Sequence, residues 1–264
     1  MIVDVGGRAA YAYTGSRAFD AAQSTVVFVH GAANDHGVWA LQSRYFAHHG
    51  CNALAVDLPG HGRSAGPALG SVEALAKWLV ELVDAAGAKR VALVGHSLGA
   101  LTALAAAARI PDRVTRLALL GPAVPMPVSD ELLAAAKADD HVAYELINGW
   151  SFSPAKQVGG NRLPGVFMAG NAMRLMERTP PGVLYTDLAA CHAYAGGLDD
   201  ARSVACPALL LVGARDLMAP PRAAKDLADA LGERARTMTL PGCGHAMMAE
   251  APDAVLDALI AFLR

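Results

Sequence analysis

Short apolar runs, each separated from the next by a helix-like stretch, constrain this chain more than any other feature. TVVFVH (25–30), NALAVD (52–57), VALVG (91–95) and VTRLALLG (114–121) are apolar at nearly every position. Unlike a half-solvated strand, such a run is covered on both faces. Helical spacing of apolar residues appears near 37–49, at 71–86 behind a candidate N-cap at Ser71, and at 98–109 before the break at Pro111. Strand and helix in strict alternation require a parallel sheet with helices on both faces. Ahead of this, residues 2–5 and 9–13 alternate apolar and polar across Gly6-Gly7, which predicts an antiparallel hairpin.

The rhythm stops between 122 and 203, where Pro, Gly and Met become frequent and the helix-like pieces are short. It resumes at CPALLLVG (206–213), with a helix near 221–231, a strand at 235–240 and a helix over 252–263. The expectation is a core made of 1–121 and 204–264, interrupted by an all-helical insertion at 122–203.

Composition narrows the partners. Hydrophobic residues make up 54% of the 264 and charged residues 17%, enough apolar surface for a large core. Net charge is −2 and the basic residues are scattered, so nucleic acid is not an expected partner. No apolar run approaches the roughly 18 residues of a membrane span. MIVDVGGRAAYAY lacks the charged and apolar regions of a secretory signal, so a cytoplasmic setting is expected. Cys51, Cys191, Cys206 and Cys243 are widely spaced and read as reduced thiols.

The chemistry concentrates at Gly95-His96-Ser97-Leu98-Gly99, a G-x-S-x-G placed directly between a strand and an alanine-rich helix. A serine at so sharp a turn has a strained backbone and needs small residues two positions to either side, which Gly95 and Gly99 supply. A serine hydroxyl is a weak nucleophile at neutral pH, so it requires a base and a group to orient that base. Asp216, in GARDLMAP, and His245, in LPGCGHAMMAEAP, each follow a strand and are the candidates. The oxyanion donors expected are the N–H groups of Leu98 and of Ala32 in the His30-Gly31-Ala32 loop. His30, His61 and His96 read as structural, and Asp57 or Arg63 as salt-bridge formers in DLPGHGRS (57–64).

With FVHG (28–31), DLPGHGRS, IPDRV (110–114) and GCGHAMMAEAPDAV (242–255) added, the chain resembles the α/β-hydrolase superfamily over nearly its whole length, in particular capped, esterase-like members. The resemblance implies a mostly parallel eight-stranded sheet, a helical cap over 122–203, and neither a metal nor an organic cofactor. One departure is AANDHGVW after Gly31, which lacks the extra glycines of many relatives and brings Asn34 or His36 toward the site.

The activity expected is hydrolysis of a small or medium apolar carboxylic ester or lactone. Carbon–carbon hydrolysis of dienone-type ring-cleavage products, acyl transfer, perhydrolysis and cofactor-free oxygenation stay open on the same triad, as does a non-catalytic receptor. Trp39, Trp150, Phe152, Met168, Met173, Met247 and Met248 are the candidate substrate-lining residues, with Phe167 and Met176 beside them. The partner expected is a small molecule; the sequence leaves the oligomeric state open.

Overall fold

Every strand-like run forms a strand within a residue or two of its predicted bounds. The structure is a computed structural model that describes residues 1–160 and 165–264; positions 161–164 of the expected insertion lie outside the described residues. The strands are β1 (Ile2–Val5), β2 (Arg8–Tyr13), β3 (Ser24–Val29), β4 (Cys51–Val56), β5 (Val91–His96), β6 (Val114–Leu120), β7 (Ala208–Gly213) and β8 (Ala235–Leu240). They form one sheet in the order β1-β2-β4-β3-β5-β6-β7-β8. β2 is antiparallel to both neighbours, and β4, β3, β5, β6, β7 and β8 run parallel.

Successive side chains of a strand point to opposite faces, so the apolar runs split into two cores. Val27, Val29, Leu93, Leu117, Leu119 and Leu210 pack with α2 (Val72–Ala85) and α3 (Leu98–Arg109). Val26, Phe28, Val94, Leu120 and Leu211 pack on the other face with α1 (Ala40–His48). Ser71 does cap α2, accepting from the Ala74 N–H at 3.2 Å.

Between β6 and β7 the described residues form six helices and no strand: α4 (Asp130–Lys137), α5 (Val142–Ser151), α6 (Pro154–Gln157), α7 (Met168–Met176), α8 (Val183–Ala193) and α9 (Gly197–Ser203). Leu132, Ile147, Met176, Leu184 and Leu188, from α4, α5, α7 and α8, make a small core of their own. α9 behaves differently: Ala201, with Val204 beyond it, joins the main core, against α3 and α10 (Lys225–Leu231). The chain closes with α11 (Met247–Glu250) and α12 (Pro252–Leu263). Among the described residues no helix is long and apolar enough to cross a membrane.

Chain order reverses between β3 and β5: β4 lies on one side of β3 and β5 on the other. The loops leaving these two strands therefore diverge, opening a crevice at the carboxyl edge of the sheet. That crevice holds the site.

Candidate active site

Ser97 sits between β5 and α3 with φ +54° and ψ −119°, a conformation a side-chain-bearing residue adopts only when its surroundings impose it. Its surroundings do so through two glycines. A Cβ on Gly95 would lie 2.1 Å from the Gly99 carbonyl oxygen, and one on Gly99 would lie 2.3 Å from that of Val29. With both Cβ atoms absent, α3 docks directly on the ends of β5 and β3, and the serine is held at the crevice. Among the described residues no acceptor takes the N–H of Leu98, the first residue of α3, or that of Ala32 across the crevice.

His245 and Asp216 meet as expected. The His245 Nδ1–H donates to Asp216 Oδ2 at 2.7 Å, and the other carboxylate oxygen accepts from the N–H groups of Met218 and Ala219 at 2.9 and 2.7 Å. Both residues are buried. His245 Nε2 is buried with no hydrogen-bond partner among the described residues, while its ring and Ser97 line the same cavity. Close backbone approach again positions the group. A Cβ on Gly213 would lie 2.2 Å from the Gly244 carbonyl oxygen, and one on Gly121 would lie 2.9 Å from His245 Cε1.

The other histidines hold loops. His30 Nδ1–H donates to the Gly31 carbonyl at 2.8 Å and its Nε2 accepts from the Leu58 N–H at 3.0 Å, tying the loop after β3 to the loop after β4. His96 Nε2–H donates to the His245 carbonyl at 2.9 Å. Burial, reinforced by a neighbouring imidazole (His61 and His245 respectively), lowers the pKa of each to about 3, so both rings are neutral. His61 instead donates from Nε2 to Asp187 Oδ2 at 2.8 Å. Burial opposes its charge, but the Asp187 carboxylate outweighs burial and the pKa is raised. Asp57 forms its ion pair with His36, Nδ1 to Oδ1 at 2.8 Å, whereas the Arg63 guanidinium lies over the Tyr11 ring at 4.2 Å. Asn34 lines the cavity; His36, turned onto Asp57, is not among its lining residues.

The cavity measures about 770 Å³, within the range of small-molecule sites. Of the predicted lining residues, Trp150, Phe152, Met168, Met176 and Met248 face it, but Trp39, Met173, Met247 and Phe167 do not. Trp39 is fully buried against Phe28 on the sheet, their ring centroids 5.5 Å apart. Met247 opens α11 and points into the same core. Met173 packs on the core of the inserted helices, and Phe167 is exposed. A composition of Met and Trp cannot distinguish these fates, because a core and a pocket wall are apolar alike. Among the described residues no Asp, Glu, Lys or Arg side chain lines the cavity. Cys191 does line it, but burial raises its thiol pKa, as it raises that of Cys243 to about 12, so neither offers a thiolate at neutral pH.

Sequence reasoning missed four side chains. Glu250 is buried and accepts from the Gly244 N–H at 2.9 Å and the Ser153 N–H at 3.2 Å, joining the histidine loop to the end of α5. Its only trace in the sequence is an acidic residue inside the apolar HAMMAEAP. Asp187 and Thr179, in the inserted segment, reach Ala33 in the loop after β3. They carried no motif. Gln42 lies in the cavity wall, and its buried Nε2 has no partner among the described residues.

A serine held in an enforced turn, an imidazole oriented by a carboxylate, and two unused N–H groups across an apolar crevice define the nucleophile-and-base class of α/β protein. Residues 24–252 match the sequence profile of the alpha/beta hydrolase fold family, and the chain belongs to that family. A pimeloyl-[acyl-carrier protein] methyl ester esterase of Chromobacterium violaceum is 33% identical over 236 residues, 84% of this chain and 87% of its own. A putative carbamate hydrolase of a Caulobacter species is 28% identical, with 91% of each chain covered. The crystal structure of an enol-lactonase from Burkholderia xenovorans LB400 superposes with a TM-score of 0.87 at 25% identity, covering 100% of this chain and 99% of that one.

Proposed function

We propose that the protein is a serine hydrolase that cleaves a small or medium apolar carboxylic ester or lactone through an acyl-enzyme. The observation that carries this reading is the His245–Asp216 pair, with Nε2 unpaired among the described residues, at the cavity that Ser97 lines and that no described Asp, Glu, Lys or Arg side chain lines. The names of the relatives, an esterase and an enol-lactonase among them, agree with it.

In this mechanism His245 Nε2 takes the proton of Ser97 Oγ as the oxygen attacks the substrate carbonyl. Asp216 remains a carboxylate and stabilises the imidazolium through Nδ1–H. The N–H groups of Ala32 and Leu98 hold the tetrahedral oxyanion, free to do so because no described acceptor competes for them. Collapse returns the Nε2 proton to the leaving alkoxide, which departs as an alcohol from an ester or stays tethered in a lactone. Water then loses a proton to His245, attacks the acyl carbon, and releases the acid with Ser97 restored. Helices α4 to α8 act as the cap, and Trp150, Phe152, Met168 and Met248 take up the apolar part of the substrate. The free cysteines, three of them buried, fit a cytoplasmic setting.

The test is turnover of short-chain p-nitrophenyl esters beside dienone acids, with a fluorophosphonate label on the nucleophile. The expected result is ester hydrolysis that Ser97→Ala lowers by at least roughly 1,000-fold, with labelling at Ser97 alone. Ester turnover by Ser97→Ala equal to that of the native protein would overturn the reading. Faster cleavage of dienone acids would replace it with carbon–carbon hydrolysis.

A further inference from the structure

Ala33 is fully buried in the loop after β3 and has φ +52°, where an alanine is strained and a glycine is not. The Asn34 N–H donates to the Gly31 carbonyl at 3.3 Å, closing a turn in which Ala33 is the third residue, a position that can require positive φ. Both of its backbone polar groups are also held by side chains from the inserted helices. Its N–H donates to Asp187 Oδ2 on α8 at 3.0 Å, and its carbonyl accepts from the Thr179 hydroxyl, between α7 and α8, at 3.2 Å. These contacts span 154 and 146 residues of chain.

Asp187 is itself fixed. The oxygen that accepts from Ala33 also accepts from His61 Nε2 at 2.8 Å, and both side chains are about 1% exposed. The other His61 nitrogen faces the Pro59 carbonyl at 3.1 Å, so the pair is anchored to the loop after β4. On its N-terminal side the Ala32 peptide follows a Gly31 carbonyl that accepts from His30 Nδ1–H and the Asn34 N–H; on its C-terminal side it adjoins the clamped Ala33. The Ala32 carbonyl accepts from Asn34 Nδ2–H at 3.0 Å. The Ala32 N–H itself has no acceptor among the described residues, and Ala32 lines the cavity.

We propose that Asp187 and Thr179 are positioning residues for acyl transfer: the cap clamps Ala33 in its strained conformation and thereby aims the Ala32 N–H at the oxyanion. The proposal rests on the serine-hydrolase reading and adds that the cap, besides lining the pocket, completes the oxyanion hole. Neither residue touches the reacting atoms. Without the clamp an alanine relaxes toward negative φ and the loop rotates the donor away.

The experiment measures the rate of Ser97 phosphonylation by a fluorophosphonate, and ester kcat and KM per titrated active site, for Asp187→Ala, Asp187→Asn and Thr179→Val. The expected result for Asp187→Ala is a loss of about 10- to 100-fold in both rates with KM within about twofold, because an oxyanion donor is misaimed rather than removed. Asp187→Asn keeps an accepting oxygen for Ala33 and recovers most of the loss. The decisive variant is Ala33→Gly on the Asp187→Ala background. Glycine takes positive φ without strain, so it restores part of the rate; a merely structural Asp187 predicts no restoration. Rates per titrated site for Asp187→Ala equal to native, or no rescue by Ala33→Gly, overturn the clamp while leaving the hydrolase reading intact. Native protein that the fluorophosphonate does not label at Ser97 overturns both. If Asp187→Ala does not fold, Thr179→Val and its Ala33→Gly double variant give the same comparison through the carbonyl side of the clamp.

Discussion

Gly95→Ala isolates the tight turn at Ser97 from the rest of the site. The added Cβ would meet the Gly99 carbonyl oxygen at 2.1 Å, its carbon at 2.4 Å and the Ala100 nitrogen at 2.7 Å, all backbone atoms that cannot swing aside. The gap to the oxygen must open from 2.1 Å to at least 3.0 Å, so the first turn of α3 moves by close to 1 Å relative to β5. Ser97 and the Leu98 N–H move with it. A displacement of that size costs on the order of 100-fold in kcat, and overpacking costs about 1–3 kcal/mol of stability. The second figure lowers Tm by on the order of 5 °C in a chain of this size. The assay is kcat per titrated site on a p-nitrophenyl ester beside a thermal melt. Gly149→Ala serves as the control, since Gly149 lies in α5 with nothing within 4 Å of its Cβ position and is expected to gain stability at unchanged kcat. A Gly95→Ala protein whose kcat stays within threefold of native refutes the claim that close packing fixes the nucleophile.

Gly213→Ala, whose Cβ would lie 2.2 Å from the Gly244 carbonyl oxygen, is expected to lower kcat comparably by displacing the His245 loop, with KM little changed; equal kcat counts against that packing. Trp39→Ala should lose about 3–5 kcal/mol in urea unfolding without altering chain-length preference, whereas Trp150→Ala should shift that preference; the reverse pattern would reassign the two rings. The His36–Asp57 pair sets a pH window. The hydrogen bond to Asp57 raises the His36 pKa above 6.5, so that contribution is whole below 6.5 and lost as pH rises through the folded value. Burial works against ionising Asp57, yet the bonds from His36 and the Arg63 N–H lower its pKa below 3.8, so its contribution is lost as pH falls through that value. The destabilisation by His36→Ala, on the order of 1 kcal/mol, should therefore peak between about pH 4.5 and 6.5 and shrink on either side; a profile flat from pH 4 to 9 would refute it. In the native protein at pH 8, iodoacetamide should modify Cys51 before the buried Cys191 and Cys243; rapid Cys191 labelling would contradict its raised pKa.

The amino-acid sequence alone determined the sheet, the tight turn at Ser97 and the pairing of His245 with Asp216, because each leaves a pattern within a few residues of a strand. A strand covered on both faces must be apolar throughout, as 91–95 and 117–121 are, and a turn as tight as that at Ser97 must have glycine two residues to either side. Asp216 and His245 were legible because each follows a strand by a few residues, Asp216 after the apolar ALLLVG and His245 after the alternating ARTMTL. The wall of the cavity was not, because Trp39 and Trp150, or Met247 and Met248, differ only in which way a helix face turns, and that is set by packing. Nor was the clamp on Ala33 legible. An aspartate on α8 and a threonine before it meet the loop after β3 across some 150 residues only once the inserted helices have docked, and no spacing along the chain encodes that distance.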